Sequence, residues 1–487
     1  MNRILLIILT CAITFVSKGQ SSLSFHHLGN ATFQNTLINA AYIPKGKIFF
    51  GLPAMSGIHV GYNNKLSYNN VFSRVDNTLI VDTDKLLSKL QTNNMASIEA
   101  DIALFHLGYT TPSGASIYLF ANERGQADIL YPKSLIEFVV DGNAGQVGET
   151  VKVGNTQFNI SHFREMGVGY RYFIEDKNIG LGFRLKYFQG FYNISSPGNF
   201  TADIVTEREN YQLSLDMQNA AIRTSGQKIF AGEEGDLASH LVSNANSGFG
   251  LDIGFEFDAG QYVTVAGSVN DIGFISWKED IRNRTLGDTS LYYSGIDLRG
   301  IDNVVDVVRD TLIGKYNSFK VNHDPYNSIL PTRAYLSGKI HLTSVNDVTT
   351  TVAARYVQGQ LKMLYGVGVN HQIGDFLVAS INATKYPQQI PNIGAAIAVK
   401  GGPAQFYLAV DQVAYWSIPD FKSVDFRVGI NFIIGKSEEG EKAASKSHFL
   451  GTEVEVRGQE GIYQIIDKQK RREVDTHDPE QKTGLLK

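Results

Sequence analysis

The chain is poor in residues that tie or interrupt a polypeptide. Its 487 residues hold one cysteine, Cys11, 12 prolines and 19% charged side chains, the last below the roughly 25% usual for globular chains. Cys11 lies in the leader-like stretch MNRILLIILTCAITFVSKGQSS, so removal of that stretch excludes a disulfide, a thiolate metal site and a thiol nucleophile. Beyond it, no segment approaches the ~20 consecutive apolar residues of a membrane helix. The 11 histidines form no HExxH, HxH or His/Cys pattern, and GxSxG, P-loop and dinucleotide signatures are missing. These gaps argue against an enzyme and call for no metal and no cofactor. A net charge of −4 is small for the length and speaks against a nucleic-acid partner.

The leader itself has a basic start at Arg3, an apolar run from Ile4 to Val16, and small or polar residues after it. That is the plan of a secretory signal peptide over residues 1–19, cleaved near Gly19 or Gln20. Acylation of Cys11 is the competing reading; Thr10 before it and the apolar run continuing past it count against that. The chain is therefore expected to leave the cytoplasm.

What is abundant is glycine (47) together with Phe (28) and Tyr (23), and these fall in a repeating order. In GVGYRYFIEDKNIGLGFRLKYFQG, Val168, Tyr170 and Tyr172 share one parity, as do Ile179, Leu181, Phe183, Leu185 and Tyr187. Gly169, Arg171, Gly182, Arg184 and Lys186 take the other. Strand side chains alternate with period two, so each run has one apolar and one polar face. The pattern returns at Leu251–Phe257, Ala334–Ile340, Leu361–Val369, Ile393–Val399 and Phe426–Phe432, with charge gathered on one parity. A charge facing hydrocarbon near a bilayer midplane costs roughly 2–4 kcal/mol, so such segregation suits a wall in contact with lipid. A large soluble β-sandwich or propeller would also alternate. Against it stand the lack of a compositional break between Gly46 and Gly435 and the glycine and alanine mixed among the charges of the polar face.

The expected fold is thus all-β: a transmembrane antiparallel β-barrel of about 14 strands, 12 to 16 being compatible, with a few short helices in its loops. The expected division is a signal peptide (1–19), an N-terminal segment and candidate plug (20–54), the barrel (55–434) and a charged tail (435–487). An even strand number places both ends on the periplasmic side. Tight turns are read near 175–178, 258–261 and 358–360, and longer excursions over 122–160, 226–247 and 275–330. Helical patterns occur at 82–91, with an Asp82 cap, at 132–140 and at 300–316. They would either plug the pore or pack on its rim. In the tail, TEVEVRGQEGIYQIIDK suggests a small hairpin turning around Gly458–Gly461. The basic KQKRR that follows could meet an acidic partner or simply be solvated.

The inward parity carries Arg171, Arg184, Lys186, Arg333, Lys339, Arg355, Lys362, Lys400 and Arg427, with Asp252, Glu256, Asp258, Asp411 and Asp425. These lumen-facing charges either select solutes or grip an internal plug, or they pair off and fill a narrow barrel, since buried charge must be paired.

Several stretches resemble a family of Bacteroidota outer-membrane barrels known as a domain of unknown function, similar in broad architecture to FadL/PorV-like and PorP/SprF-like barrels. They are NAAYIPKGKIFFGLPAMSGIHVGYNNKLSYNN, VNDIGFISWK, SGIDL, PTRAYLSGKI and NIGAAIAVKGGPAQFYLAVDQV. The first departs from the usual Asn-Pro-Ala at Asn39, Ala40 and Ala41. The resemblance implies an outer-membrane barrel in contact with lipid and supplies no site residues. Two functions follow as expectations: a transporter or channel for small or hydrophobic solutes, or a non-conducting scaffold docking periplasmic or secretion-machinery proteins through residues 436–487.

Overall fold

The fold is described from a computed structural model of the chain. It covers residues 23–435 except 65, 77, 155, 175–176, 227–243, 261, 294–318, 386–391, 414–421, and the two tail strands 452–456 and 463–467. Fourteen antiparallel strands close into a barrel. The first, β1, runs Ile48–Gly51 and resumes at Ile58–Asn63. There follow β2 (Asn93–Thr110), β3 (Ser116–Pro132), β4 (Gln157–Ile174), β5 (Ile179–Ser195), β6 (Ser247–Asp258) and β7 (Val263–Trp277). The second half is β8 (Thr332–His341), β9 (Asn346–Val357), β10 (Gln360–Ile373), β11 (Leu377–Lys385), β12 (Asn392–Gly401), β13 (Ala404–Val410) and β14 (Ser423–Ile434). Each pairs with the next, and β1 closes the circle by pairing with both β2 and β14. No helix among the described residues is long and apolar enough to cross a membrane.

The two ends of the barrel differ. At one end the strands are joined by the short turns 111–115, 175–178, 259–262, 342–345, 374–376 and 402–403. At the other end the strands are separated by longer stretches of sequence, 64–92, 133–156, 196–246 and 278–331, of which 227–243 and 294–318 fall outside the described residues. One connection at that end is tight: Gln358 (φ 48°) and Gly359 (φ 75°) join β9 to β10. Two successive positive φ values match the right-handed twist of a hairpin, and glycine takes the second without strain.

Alternation is realised in the wall. Leu107, Ile117, Leu185, Phe249 and Ile381 are more than half exposed, whereas His106, Tyr118, Arg184 and Ser380 beside them are buried. Outward charges begin on β3 and β4 at Glu123 and Arg164, which pair at 2.9 Å. The first wall strand starts at Ile48, ahead of the boundary at 55 read from sequence. The excursion read over 122–160 is corrected as well. Residues 122–132 complete β3 and 157–160 begin β4. Glu123 and Gly125 face outward above the apolar rows, so the expected apolar parity is lost there although the ladder continues.

The 275–330 excursion is also more ordered than expected. Thr150–Lys152, Thr201–Thr206, Leu213–Ser225, Asn283–Tyr293 and Lys320–Asn322 form an antiparallel extension of the wall, anchored where Arg223–Ser225 pairs with Asn193–Ser195 of β5. Its core is Val151, Val153, Ala202, Met217 and Ala220, onto which helix Lys133–Asp141 lays Leu135 and Phe138. Helix Thr83–Lys89 begins at Asp82, which accepts from Lys85 N at 3.0 Å. Both helices belong to the loop end. The pattern at 300–316 lies outside the described residues, as do the leader-like residues 1–19 and most of the tail. Within the tail, Thr452–Val456 and Tyr463–Asp467 pair as a hairpin.

Candidate functional site

The lumen is occupied by the N-terminal segment. Helix α1 (Leu23–His26) and two 3-10 turns, Gly29–Ala31 and Phe33–Leu37, lead through buried Asn39–Ile43 to β1. Apolar packing supplies part of the hold: Leu23, Phe25, Leu28 and Ile38 share a core with Tyr335, Leu364, Ala398 and Tyr407. Phe33 stacks on His106 with ring centroids 4.0 Å apart.

Most of the anchors are polar. Leu23 N and Ser24 N donate to the carboxylate of Asp411 at 3.2 and 2.8 Å. Gln34 Nε2 donates to Asn431 Oδ1 at 2.7 Å, and Asn431 Nδ2 returns a bond to Gln34 Oε1 at 2.8 Å. The Ile38 carbonyl accepts from Ser268 Oγ at 2.5 Å and Asn270 Nδ2 at 2.6 Å, while Asn39 Nδ2 donates to the Phe255 carbonyl at 3.0 Å. Gln405 Nε2 donates to the Ala31 carbonyl at 2.6 Å. These bonds satisfy a backbone that lies away from water and outside any ladder. Close approach also dictates residue choice. A Cβ on Gly182 would stand 2.2 Å from the Ala40 carbonyl carbon, and one on Gly254 would stand 2.0 Å from Asn39 Oδ1.

Beside the segment lies a layer of charge drawn from strands around the lumen. Arg184 reaches Glu165 at 3.0 Å and Asp252 at 3.1 Å, and also donates to the Thr36 carbonyl at 3.2 Å. Lys186 meets Asp252 at 2.8 Å and Asp271 at 2.7 Å. Arg124 joins Glu165 at 2.6 Å, Asp271 at 2.9 Å and Asp101 at 3.4 Å. His59 bridges Asp101 at 2.7 Å and Asp425 at 3.0 Å, and Arg427 lies 3.7 Å from Asp425. An imidazole donates at both nitrogens only as the cation. With His59 charged, the five cations of this group face five carboxylates. A second group pairs Arg333 with Glu99 at 2.6 Å, and Arg355 with Glu99 and Asp128, both at 2.9 Å. Removal from water is tolerable for such ions because each has opposite charge and hydrogen bonds at hand.

Between the segment and this layer remains a cavity of about 20 Å³, lined by Leu37, Ile38, Arg124, Lys186, Asp271 and Arg333. That is room for about one water molecule.

Of the lumen-facing charges read from sequence, Arg184, Lys186, Asp252, Asp425 and Arg427 meet in the first group, and Arg333 and Arg355 in the second. The others stand apart. Asp411 holds the start of α1, and Glu256 accepts from Asn30 Nδ2 at 3.0 Å. Arg171 donates to the Gly114 carbonyl at 3.2 Å, and Lys362 meets Gln360. Sequence reasoning missed Glu99, Asp101, Arg124, Asp128, Glu165 and Asp271, and it missed His59. The parity of β2 and β4 would have found Glu99, Asp101 and Glu165, whereas Arg124 and Asp128 stand where β3 has lost its apolar parity. Asp271 could not be found that way, because its φ of 60° breaks the alternation and turns both Asn270 and Asp271 inward.

Two adjacent histidines of the segment are buried as well. His26 lies between Tyr42 and Tyr335, each with ring centroids 5.7 Å away, and its nitrogens have no hydrogen-bond partner among the described residues. Burial, then His27, then Lys339 push the His26 pKa down to about 3. Burial, then Lys339, push His27 down to about 4, and the nearby Asn370 side chain acts in the opposite sense. Both rings are therefore neutral at pH 7.

A family model described as a family of unknown function (DUF5723) matches residues 41–411, and the chain belongs to that family. No curated protein sequence matches it. Among solved structures, it is similar to the Ralstonia pickettii toluene transporter TbuX at 10% identity and TM-score 0.37, covering 82% of this chain and 93% of that one. The Pseudomonas putida toluene transporter TodX is similar at 8% identity and TM-score 0.36, covering 86% and 97%. A Pseudomonas aeruginosa FadL homologue gives the same four values: 8%, 0.36, 86% and 97%.

Proposed function

We propose that this DUF5723 barrel is a gated outer-membrane transporter that passes small or hydrophobic solutes when its N-terminal segment moves. One observation carries the reading. Residues 23–46 lie inside a closed barrel and are held largely by hydrogen bonds, while paired charge closes the remaining bore. Each such bond contributes only about 0.5–1.5 kcal/mol net, because water offers the same partners. The hold is therefore firm in sum and divisible in steps. The apolar outer rows support a bilayer setting, and the unequal ends support the usual orientation, with short turns and both chain ends toward the periplasm.

The test is electrical and chemical. In a planar bilayer the full chain is expected to be nearly silent, and the chain lacking residues 23–46 is expected to carry steady current. Cysteines at Gln34→Cys and Asn431→Cys, in a mature chain with no other thiol, lock the segment when oxidised. Cells carrying that variant are expected to lose uptake of a small aromatic hydrocarbon or a sugar, and to regain it on reduction. A barrel without 23–46 that stays silent would speak for a scaffold. Undiminished uptake through the locked barrel would also overturn the reading.

A further inference from the structure

We propose that the outer face of β5 to β9 holds a binding site for one hydrocarbon chain of a membrane lipid. The observation is a groove of about 570 Å³ on the lipid-facing side of the wall. That volume lies within the ~300–1,000 Å³ typical of small-ligand sites.

The groove arises from residue size along the outward rows. One row runs Leu181, Phe255, Gly267, Leu336, Val352 across five paired strands, and the next runs Phe183, Ile253, Val269, Ala334, Ala354. On other strands Leu107, Leu119, Val367 and Ile381 stand well exposed on the outward rows. Gly267, Ala334 and Ala354 instead leave a hollow between the aromatic side, Phe183 and Phe255, and the aliphatic side, Leu336 and Val352. The Phe255 ring leans over Gly267, where a Cβ would come within 2.7 Å of it.

What fills the hollow follows from where it opens. Its rim is continuous with the apolar rows that face the bilayer, so the neighbouring matter is hydrocarbon. A chain lying in it gains dispersion contacts on three sides, which a chain on the smooth wall gains on one. The wall is thin at this place. Directly behind it, Ile38, Asn39 and Ala40 of the lumenal segment press on Ser268, Gly254 and Gly182, and Asn39 donates to the carbonyl of Phe255. The inner face therefore cannot yield to fill the hollow, and the outer face must be filled from the membrane.

This inference rests on the bilayer setting proposed above and not on transport. The full chain is reconstituted in vesicles of palmitoyl-oleoyl-phosphatidylcholine, floated, re-extracted in mild detergent, and its retained lipid counted by native mass spectrometry. The wild type is expected to keep one phospholipid per chain. The variant A334F/A354F, and A354F alone, are expected to lose it while keeping heat-modifiable gel migration, and A395F on the smooth wall is expected to retain it. Equal retention by wild type and A354F, or no retained phospholipid on the wild type, overturns the site. A chain that does not float with the vesicles refutes the bilayer setting instead.

Discussion

Gln34 of the lumenal segment and Asn431 of β14 exchange two hydrogen bonds, amide to amide, at 2.7 and 2.8 Å, with both side chains buried. Cutting one side leaves the other amide's oxygen without its donor, although Gln34 Nε2 keeps the Ser56 carbonyl and Asn431 Nδ2 keeps Gln405 Oε1. An unsatisfied buried acceptor costs about 1–3 kcal/mol. Asn431→Leu and Gln34→Leu are therefore each expected to raise the open fraction of single-channel records about tenfold or more. The double variant, which removes both polar groups, is expected to fall short of the sum of the two.

The charged layer makes a different prediction. Arg184 is 1% exposed and serves Glu165, Asp252 and the Thr36 carbonyl. Arg184→Met would leave the buried layer one cation short, with Arg124 and Lys186 left as the cations on Glu165 and Asp252, a loss on the order of 3–5 kcal/mol. Lys133 and Glu137 also pair, at 3.0 Å, but each is one-third exposed, and such pairs contribute roughly 0–1 kcal/mol. Urea unfolding in detergent, followed by gel mobility, is expected to show a large shift for Arg184→Met and almost none for Lys133→Ala.

The contrast between wall and lumen marks what the sequence could reveal. Leu181, Phe183 and Leu185 are legible because charge is kept off every second position, as the proposed hydrocarbon setting would demand, so each strand carries its own evidence. The charged layer is legible only in part. Glu165 keeps the inward parity of Gly169 and Arg171 along β4, because the residue left over at His162/Phe163 is Phe191 of β5. Asp271, in contrast, sits in a bulge at positive φ that resets the parity on which a period-two reading depends. The lumenal segment left still less trace. Gln34, Asn35 and Thr36 are buried although polar. They face wall groups such as Asn431 and Arg184, far away in sequence, so the segment has no hydrophobic period to show. The upper half of β3 reads as a loop for a related reason: its ladder is complete, but above the apolar rows nothing selects for alternation.

The buried histidines give the segment a pH response. His26 and His27 hold pKa values near 3 and 4 in place, against about 6.5 when exposed to water. Groups lowered in the folded state bind fewer protons there, so stability rises with pH and is fully present above about 6.5. It is lost as pH falls from there toward 4, at about 2 kcal/mol for each ring at pH 5. Lys339 opposes protonation of both rings, Tyr335 stacks on His26 with Tyr42 tilted against it, and Glu256 lines the same small cavity. Its carboxylate softens the loss. Channel current is expected to increase between pH 7 and pH 5 in the wild type. The variant H26Q/H27Q is expected to show a much flatter profile, and an unchanged profile would remove the histidines from the account.

The outer rows permit the most direct test of the wall. Ile381 is 66% exposed on β11, and Ser380 and Asn382 on either side are buried in the lumen, where Asn382 meets Ser24 of the segment. In the proposed bilayer setting, one step along the strand thus changes the surroundings from hydrocarbon to a polar interior. Ile381→Lys would hold an ammonium against lipid at a cost of roughly 2–4 kcal/mol near the midplane, less toward either surface. Ile381→Leu keeps the area and costs under ~1.5 kcal/mol, even by the standards of a packed core. Folding into bilayer vesicles, read as the heat-modifiable fraction on a gel, is expected to fall steeply for lysine and hardly at all for leucine. Thinner bilayers are expected to narrow the gap, because they bring the ammonium closer to water. A soluble barrel would gain solubility from the same lysine and show no dependence on bilayer thickness, so the two settings differ in sign.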